Sequence, residues 1–103
     1  MTEVTSGTQQ YNGNTYRYLK CRNHSGNDAV CNGISTICYA LTGYLLNKLP
    51  DDELEYDLRP GDAMVTIKDS DLAKEAFDMA VIGLLQIEVD NKEYIHVVTD
   101  ITL

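Results

Sequence analysis

The sequence predicts an α+β fold, a two-layer sandwich in which two helices lie on one face of a mixed β-sheet. Two segments carry apolar residues at helical spacing, and several shorter segments alternate apolar and polar residues between turn signals. A helix and a sheet each bury one apolar face, so stacking both helices on one side of the sheet satisfies every element. With 103 residues, 44% of them hydrophobic, the chain is expected to form a single domain over residues 1–103, in the order ββαββαβ.

The N-terminal third of the chain predicts a β-hairpin. Thr2–Gln10 and Thr15–Asn23 are the two strands, and Asn12-Gly13-Asn14 contains the Asn-Gly pair that favours a tight turn. His24 follows at the exit of the second strand. The hairpin therefore places a histidine at one end of the sheet.

Two helices are predicted from apolar periodicity and from their end signals. The first begins at Asp28, a good N-cap residue, and ends at Leu49-Pro50. The second is capped by Ser70 and ends near Asp90 or Asn91. Their apolar faces carry Val30, Ile34, Ile37, Leu41 and Leu45 in the first helix, and Ala73, Ala76, Phe77, Ala80, Leu84 and Ile87 in the second.

Three further strands complete the predicted sheet. Leu54–Arg59 and Met64–Lys68 flank the turn residues Pro60-Gly61-Asp62, and Tyr94–Thr99 is the closing strand. The sheet face turned away from the helices carries two tyrosines of the second strand beside lysine and arginine. That face is either half-exposed or covered by a second copy of the chain, and we favour a homodimer.

Composition and charge restrict the partners. With 16 acidic and 8 basic residues, the formal net charge is −8, which repels phosphate backbones and attracts basic proteins, although it also serves solubility. The apolar stretches Ile37–Leu41 and Met79–Leu85 are shorter than the roughly 20 residues of a membrane span. Three cysteines without a secretory signal favour reduced thiols. We therefore expect a cytoplasmic protein that binds neither nucleic acid nor a membrane.

The segment from Asn23 to Ser35 carries the residues best suited to chemistry. If Asp28 caps the first helix, Cys31 lies in its first turn, where unpaired backbone N–H groups and the helix dipole favour a thiolate. His24 leaves the preceding strand near the same helix end, within potential hydrogen-bond reach of the sulfur. These two residues are candidates for a Cys-His dyad.

The surrounding residues fit acyl transfer without a metal or a cofactor. Free N–H groups at the helix end can receive the oxyanion of a tetrahedral intermediate. Gly33 removes side-chain bulk one turn from Cys31 and so favours close approach of a peptide backbone, and Ser35 lies at i+4 on the same side. Asp28 either orients His24 or acts only as the cap.

Structural roles compete with these interpretations. Cys31 alone fits a small buried hydrophobic residue as well, Cys38 is expected in the core, Cys21 is expected to be structural, and His96 is expected to be half-buried on a strand. A zinc site formed by Cys21, His24, Cys31 and Cys38 is disfavoured, because about 10 Å of helix rise separates the last two. A redox-sensing thiol is disfavoured because no obvious resolving cysteine lies nearby in sequence.

The same segment resembles the ribosomal-processing cysteine protease family, Prp, whose members carry a Gly-His pair, a variable loop and an Asp-x-x-Cys-x-x-x-Ser helix start. Here His24, Asp28, Cys31 and Ser35 occupy the four positions. The resemblance extends more weakly over nearly the whole chain. The chain differs in Asn23 and Asn32, and Ser25-Gly26-Asn27 makes it a short-loop variant of the family.

The resemblance implies a two-layer dimeric cysteine endopeptidase. It implies removal of a short N-terminal extension from a protein substrate, either a ribosomal large-subunit protein or a phage capsid-type protein. Cys31 would be the nucleophile and His24 the acid and base, with Asp28 and Ser35 supporting them. The alternative is a noncatalytic homodimeric protein-binding module on the same fold.

Overall fold

The computed structural model describes residues 1–103 and has the predicted element order. Two helices lie on one face of a five-stranded sheet, which confirms the α+β sandwich. The elements are β1 (Thr2–Tyr11), β2 (Asn14–Arg22), α1 (Asp28–Lys48), β3 (Leu54–Arg59), β4 (Asp62–Lys68), α2 (Asp71–Asp90) and β5 (Ile95–Val98).

The sheet has the strand order β3-β4-β2-β1-β5. Neighbouring strands are antiparallel except β1 and β5, which run parallel, so the sheet is mixed. The β1–β2 turn is built by Asn12 and Gly13, at φ 51° and 79°. Two successive residues with positive φ are what a tight hairpin turn requires, and this confirms the turn expected from the Asn-Gly pair.

The core lies between the helices and the inner face of the sheet. On β2, Leu19 and Cys21 point inward and are buried, because alternate residues of a strand share one face. The helices approach each other closely at two glycines. A Cβ on Gly33 would lie 3.0 Å from the Ile87 side chain, and a Cβ on Gly83 would lie 3.0 Å from Ile37. Gly33 therefore serves helix packing, and our interpretation that it admits a substrate backbone is wrong.

The N-cap of α1 is Asn27 rather than Asp28. Asn27 has an extended backbone (φ −142°, ψ 123°), and its side-chain oxygen accepts the N–H of Val30 at 3.1 Å. Asp28 is thus the first helical residue, and Cys31 is the fourth. At that position the Cys31 N–H already donates to the Asn27 carbonyl at 2.9 Å. Both residues are favourable caps by type, so the sequence alone could not separate them.

Helix α1 is long and apolar enough to cross a membrane by length and composition, with a mean hydropathy of 1.3. The core helix of a globular protein meets the same test. In this fold α1 packs its apolar face on the sheet and on α2, through Val30, Ile34, Cys38, Leu41 and Leu45.

Helix α2 begins as predicted. The Ser70 hydroxyl accepts the N–H of Ala73 at 3.1 Å. The preceding residue, Asp69, receives two hydrogen bonds from the Arg17 guanidinium, at 2.8 and 3.2 Å. This ion pair fastens the start of α2 to β2 and lowers the pKa of the Asp69 carboxyl.

Strand β5 is shorter than predicted, and it forms one edge of the sheet. Its Val97 N–H donates to the Glu88 carboxylate of α2 at 2.6 Å. His96, on the opposite face of the strand, is 57% exposed rather than half-buried, with Nδ1 3.7 Å from Glu88. The prediction of a half-buried His96 is therefore wrong: its face of the strand is the one that no helix covers.

The outer face of the sheet carries no covering layer. In its middle, Lys20 pairs in register with Thr5 on one side and Met64 on the other, and Tyr18 pairs with Thr66. The Lys20 ammonium lies 5.2 Å from the centre of the Tyr18 ring. The side chains of these five residues are half-buried.

Candidate active site

The four residues singled out by the sequence line one cavity of about 340 Å³. The cavity lies between the exit of β2, the start of α1 and the β3–β4 turn. His24 comes from the first of these, whereas Asp28, Cys31 and Ser35 come from α1. The fold thus gathers His24 and Cys31 at one opening.

The Cys31 sulfur is in contact with Ser25, a residue that the sequence analysis did not single out. Ser25 Oγ lies 2.9 Å from Cys31 Sγ, and Ser25 is only 2% exposed. The same oxygen donates to the Asn27 carbonyl at 2.8 Å and accepts the Asn27 N–H at 3.1 Å. The helix cap and the cysteine are therefore connected through one hydroxyl.

The protonation state of Cys31 decides where the Ser25 hydrogen points. A hydroxyl has one hydrogen to donate, whereas a thiolate can only accept. When Cys31 ionises, the Ser25 hydroxyl therefore donates its hydrogen bond to the sulfur instead of to the Asn27 carbonyl. A hydrogen bond to the charged form stabilises that form.

The pKa of Cys31 lies below its ordinary value for this reason. The Ser25 hydroxyl is the largest cause, and the backbones of Ser25 and, less strongly, Gly26 act in the same direction. Desolvation and the negative charge of Asp28 oppose them. The Ser25-Gly26 loop thus stabilises the thiolate, and the N–H of Cys31 is not itself free, because it donates to the Asn27 carbonyl.

His24 lies against the β3–β4 turn. A Cβ on Gly61 would approach the ring to 2.7 Å at Nε2, and Gly61 has φ 76°. The neighbouring Asn23 N–H donates to the Gly61 carbonyl at 2.8 Å, and its own carbonyl accepts from Thr2 Oγ1 at 2.8 Å. The ring is exposed and makes no hydrogen bond to Cys31. Forming a dyad therefore requires the ring to turn toward the sulfur.

Asp28 and Ser35 line the same cavity as His24 and Cys31. Neither forms a hydrogen bond or an ion pair with His24 or Cys31. The charge of Asp28 raises the pKa of Cys31, which opposes ionisation. Asp28 therefore does not orient His24 in this conformation.

Two residues of the site, Ser25 and Gly61, were not predicted from the sequence to contact the central pair. The Ser25-Gly26-Asn27 run resembles an ordinary short loop, and the spacing of a serine from a cysteine six residues later has no helical or strand meaning. Gly61 was predicted as a turn residue only. Its contact with His24 depends on β4 pairing with β2, with Asp62 opposite Arg22.

No group of three or more His, Cys, Asp and Glu side chains is arranged to hold a metal ion. The remaining two cysteines lie in the wall of the cavity. Cys21 and Cys38 are buried, as expected, and their sulfurs are 3.9 Å apart.

No protein-family model and no curated protein sequence matches the chain. Among solved structures, it superposes on the essential ribosomal processing protease Prp from Staphylococcus aureus in complex with a covalently linked product peptide. The TM-score is 0.74 at 20% identity, over 94% of this chain and 97% of that one. The fold is that of Prp.

Two more structures show the same Prp fold. Prp from S. aureus with a substrate peptide gives a TM-score of 0.68 at 16% identity, covering 95% of this chain and 98% of that one. SMU.848 from Streptococcus mutans gives 0.66 at 18% identity, covering 94% and 91%. The resemblance to Prp noted in the sequence is confirmed at the level of the fold, which includes a peptide-binding protease among its members.

Proposed function

We propose that the chain is a cysteine endopeptidase that removes a short N-terminal extension from a protein substrate. The observation that carries this proposal is the Cys31 sulfur, which lies in a cavity shared with His24 and whose thiolate is favoured by the buried Ser25 hydroxyl. A thiolate in an open cavity beside an imidazole has the groups that peptide hydrolysis needs. The Prp fold supports a peptide as the substrate.

The reaction proceeds through a thioester. The Cys31 thiolate attacks the scissile carbonyl, and the tetrahedral intermediate collapses as the imidazolium of His24 gives its proton to the leaving amine. His24 then takes a proton from water, which attacks the thioester and regenerates Cys31. Substrate binding turns the His24 ring from Gly61 toward the sulfur, since catalytic hydrogen bonds often tighten only in the complex.

The oxyanion is stabilised by backbone N–H groups. The N–H of Cys31 is occupied by the Asn27 carbonyl. The loop at Ser25 and Gly26 already stabilises negative charge on the sulfur. In the tetrahedral intermediate, the negatively charged oxygen is attached to the carbon that is bonded to this sulfur. We therefore assign the oxyanion donors to this loop.

The cavity and the charge of the chain favour a particular kind of substrate. The inner wall is apolar, formed by Cys21, Ile34, Cys38, Leu58 and Ala63. The net charge of −8 attracts basic proteins. Both features suit a ribosomal large-subunit protein with an apolar residue near its cleavage point, and a phage capsid-type protein is the other candidate. We place the reaction in the cytoplasm, in a homodimer formed through the uncovered sheet face.

The proposal is tested first by the alkylation rate of Cys31 against pH, in the native chain and in His24→Ala. Mass mapping separates the three cysteines, and buried Cys21 and Cys38 are internal controls. We expect Cys31 to react rapidly at pH values below the ordinary thiol pKa of about 8.5. A Cys31 no more reactive than the buried pair contradicts the proposal.

Cleavage is then tested with synthetic peptides that span the N-termini of large-subunit ribosomal proteins and of phage capsid proteins. We expect one peptide class to be cut, with no product from Cys31→Ala or His24→Ala. Reactive Cys31 without cleavage of either class would favour the second candidate, a noncatalytic protein-binding module. The observation that favours this second candidate is that the His24 ring lies against Gly61 and forms no hydrogen bond with the Cys31 sulfur.

A further inference from the structure

The core at the wall of the cavity contains a pair of thiols that the proposed reaction does not use. Cys21 of β2 and Cys38 of α1 are 3% and 2% exposed. Their sulfurs are in contact at 3.9 Å, although 17 positions separate them in sequence. A redox thiol was disfavoured from the sequence because no resolving cysteine was apparent, and the fold supplies one.

We propose that Cys21 and Cys38 are a redox-responsive dithiol, which a hydroperoxide converts to an intramolecular disulfide. The proposal concerns only this pair and stands whether or not Cys31 is catalytic. Three features carry it: the contact between the sulfurs, their access to solvent, and their place in the chain.

The contact makes the disulfide geometrically accessible. A disulfide bond is about 2.05 Å long, so the sulfurs must approach by roughly 1.9 Å. Rotation of two side chains with a small shift of α1 toward β2 supplies such a movement. The two cysteines come from different layers of the sandwich, and the disulfide would join them covalently.

Access to the pair is through the cavity itself. Both cysteines contribute to the wall of the same 340 Å³ cavity that contains His24 and Cys31. A molecule as small as hydrogen peroxide can enter a cavity of this size. Larger disulfide reagents are excluded by the near-complete burial of both sulfurs.

The two thiols differ in pKa, and this difference indicates which of them reacts first with the peroxide. With the Cys21 S–H as the donor, the hydrogen bond between the sulfurs lowers the pKa of Cys38 and raises that of Cys21. The Cys38 thiolate attacks one peroxide oxygen, so an S–O bond forms and the O–O bond breaks. The departing hydroxide is protonated to water, and Cys38 becomes a sulfenic acid.

Cys21 resolves this intermediate. Its sulfur attacks the sulfenic sulfur, the S–S bond forms and the S–O bond breaks. The departing hydroxide takes the Cys21 thiol proton and leaves as a second water. The two thiols lose two electrons in total, and one molecule of hydrogen peroxide gains them.

Because of where the two cysteines lie, their oxidation is expected to affect the candidate active site. The segment enclosed between Cys21 and Cys38 contains both His24 and Cys31. Oxidation would close this segment into a loop and would pull α1 toward β2 at the base of the cavity. We therefore expect the alkylation rate of Cys31 to change when the pair is oxidised, and to recover on reduction.

The experiment uses the full chain carrying Cys31→Ser, which leaves only the pair. The folded protein is treated with hydrogen peroxide, then denatured and alkylated, and its mass is measured. We expect two hydrogens to be lost, no alkylation of either cysteine, a Cys21–Cys38 cross-linked peptide, and full reversal by dithiothreitol. The oxidised form should also melt several degrees higher, since a cross-link restricts the unfolded chain.

The controls are Cys38→Ala and Cys38→Ser in the same background, of which alanine avoids a buried hydroxyl. Each should remain a single thiol that gives no intramolecular cross-link. The proposal is overturned if both cysteines are still alkylated after peroxide, or if Cys38 proceeds to the sulfinic acid without a cross-link. In the native chain, a Cys31–Cys38 cross-link in place of Cys21–Cys38 would equally overturn it.

Discussion

At the scale of single residues, the Ser25 hydroxyl and the Gly61 hydrogen set the environments of the two central side chains. The first lies beside the Cys31 sulfur, and the second leaves the space that the His24 ring occupies. Neither contact follows from the spacing of His24 and Cys31. The first depends on how the Ser25-Gly26-Asn27 loop folds, and the second depends on the pairing of β4 with β2. The sequence therefore singled out His24 and Cys31 but not the residues that contact them.

Removing the Ser25 hydroxyl should make Cys31 a weaker acid. A hydrogen bond to a charged group contributes about 1.5 to 3 kcal/mol, or about one to two pKa units, and solvent screening at this partly exposed site leaves roughly one unit. At pH 7, which is below the ordinary thiol pKa of about 8.5, Ser25→Ala should therefore slow Cys31 alkylation by roughly three- to tenfold, and Ser25→Thr should restore part of the rate.

Ser35→Ala is the matched control for this measurement. Ser35 lines the same cavity but makes no hydrogen bond to the sulfur. Its alkylation profile should overlay that of the native chain. Equal profiles for Ser25→Ala and Ser35→Ala would remove Ser25 from the explanation.

A methyl group at Gly61 should displace His24. Gly61→Ala introduces a Cβ at 2.7 Å from the ring nitrogen and also strains a backbone at φ 76°. Gly13→Ala imposes the same backbone strain at φ 79° with no atom within 4 Å. Both variants should lose about 1 kcal/mol of stability, the usual cost of a left-handed alanine.

Only Gly61→Ala should alter the magnetic environment of His24. The chain has two histidines, so the ring proton resonances are assigned by comparison with His96→Gln. We expect the His24 resonance to shift in Gly61→Ala and to stay in place in Gly13→Ala. An unmoved resonance in both would contradict the contact between Gly61 and the ring.

At the scale of elements, most boundaries were predictable because their signals are local. Ser70 caps α2, Asn12 and Gly13 form the turn, and the helix faces follow the apolar periodicity. The first helix was displaced by one residue at its cap, since Asn27 and Asp28 are both good cap residues. The shift places Cys31 at the fourth helical position, where its own N–H is already paired with the Asn27 carbonyl.

The ion pair between Arg17 and Asp69 should make stability depend on pH. Because the pKa of Asp69 is lowered in the folded chain, the stabilisation is full above the ordinary carboxyl value of about 3.9, and it is lost as pH falls through the folded value. Asp69→Asn should cost about 1 kcal/mol at pH 7 by urea unfolding, and the difference should shrink as the pH falls below about 3.9.

Asp57→Asn is the control for the ion-pair prediction. Asp57 pairs with Arg59 at 2.9 Å, but both side chains are exposed, at 43% and 69%. A surface pair of this kind contributes little. A loss at Asp57 as large as that at Asp69 would show that burial is not what distinguishes them.

Two glycines of α1 should respond differently to alanine. A Cβ on Gly43 would have no atom within 4 Å, so Gly43→Ala should stabilise the helix by about 0.5 to 1 kcal/mol. At Gly33 the same methyl would meet Ile87 at 3.0 Å. Gly33→Ala should therefore gain less than Gly43→Ala in thermal unfolding, and an equal gain would show that the helices can separate without cost.

At the scale of the whole molecule, the layers were predictable and the strand order was not. Apolar patterning decides which faces meet, but it does not determine that β5 crosses over to lie parallel to β1. The same pattern placed both apolar and charged side chains on the outer sheet face, and no element of the chain covers that face. An uncovered face of half-buried side chains is where a second copy is expected to bind.

A charge on the uncovered face should abolish the proposed dimer. Met64 lies at its centre, opposite Lys20 and Asp57. By sedimentation velocity we expect a dimer for the native chain and a monomer for Met64→Glu. Met79→Glu, a 76% exposed site on the helical layer, should stay dimeric. A native monomer, or a dimer disrupted only by Met79→Glu, would contradict this assignment.

The hydrogen bond from the Val97 N–H to Glu88 bears on how copies of this chain can meet. An edge strand normally offers its outward amides to a strand from another molecule, and sheets can then extend from chain to chain. Here a carboxylate already occupies that amide at 2.6 Å, and an arriving strand would have to displace it and leave its charge beside a new backbone. A strand from another copy that arrives at β5 must therefore displace the Glu88 carboxylate, and this disfavours growth of the sheet from copy to copy at that edge.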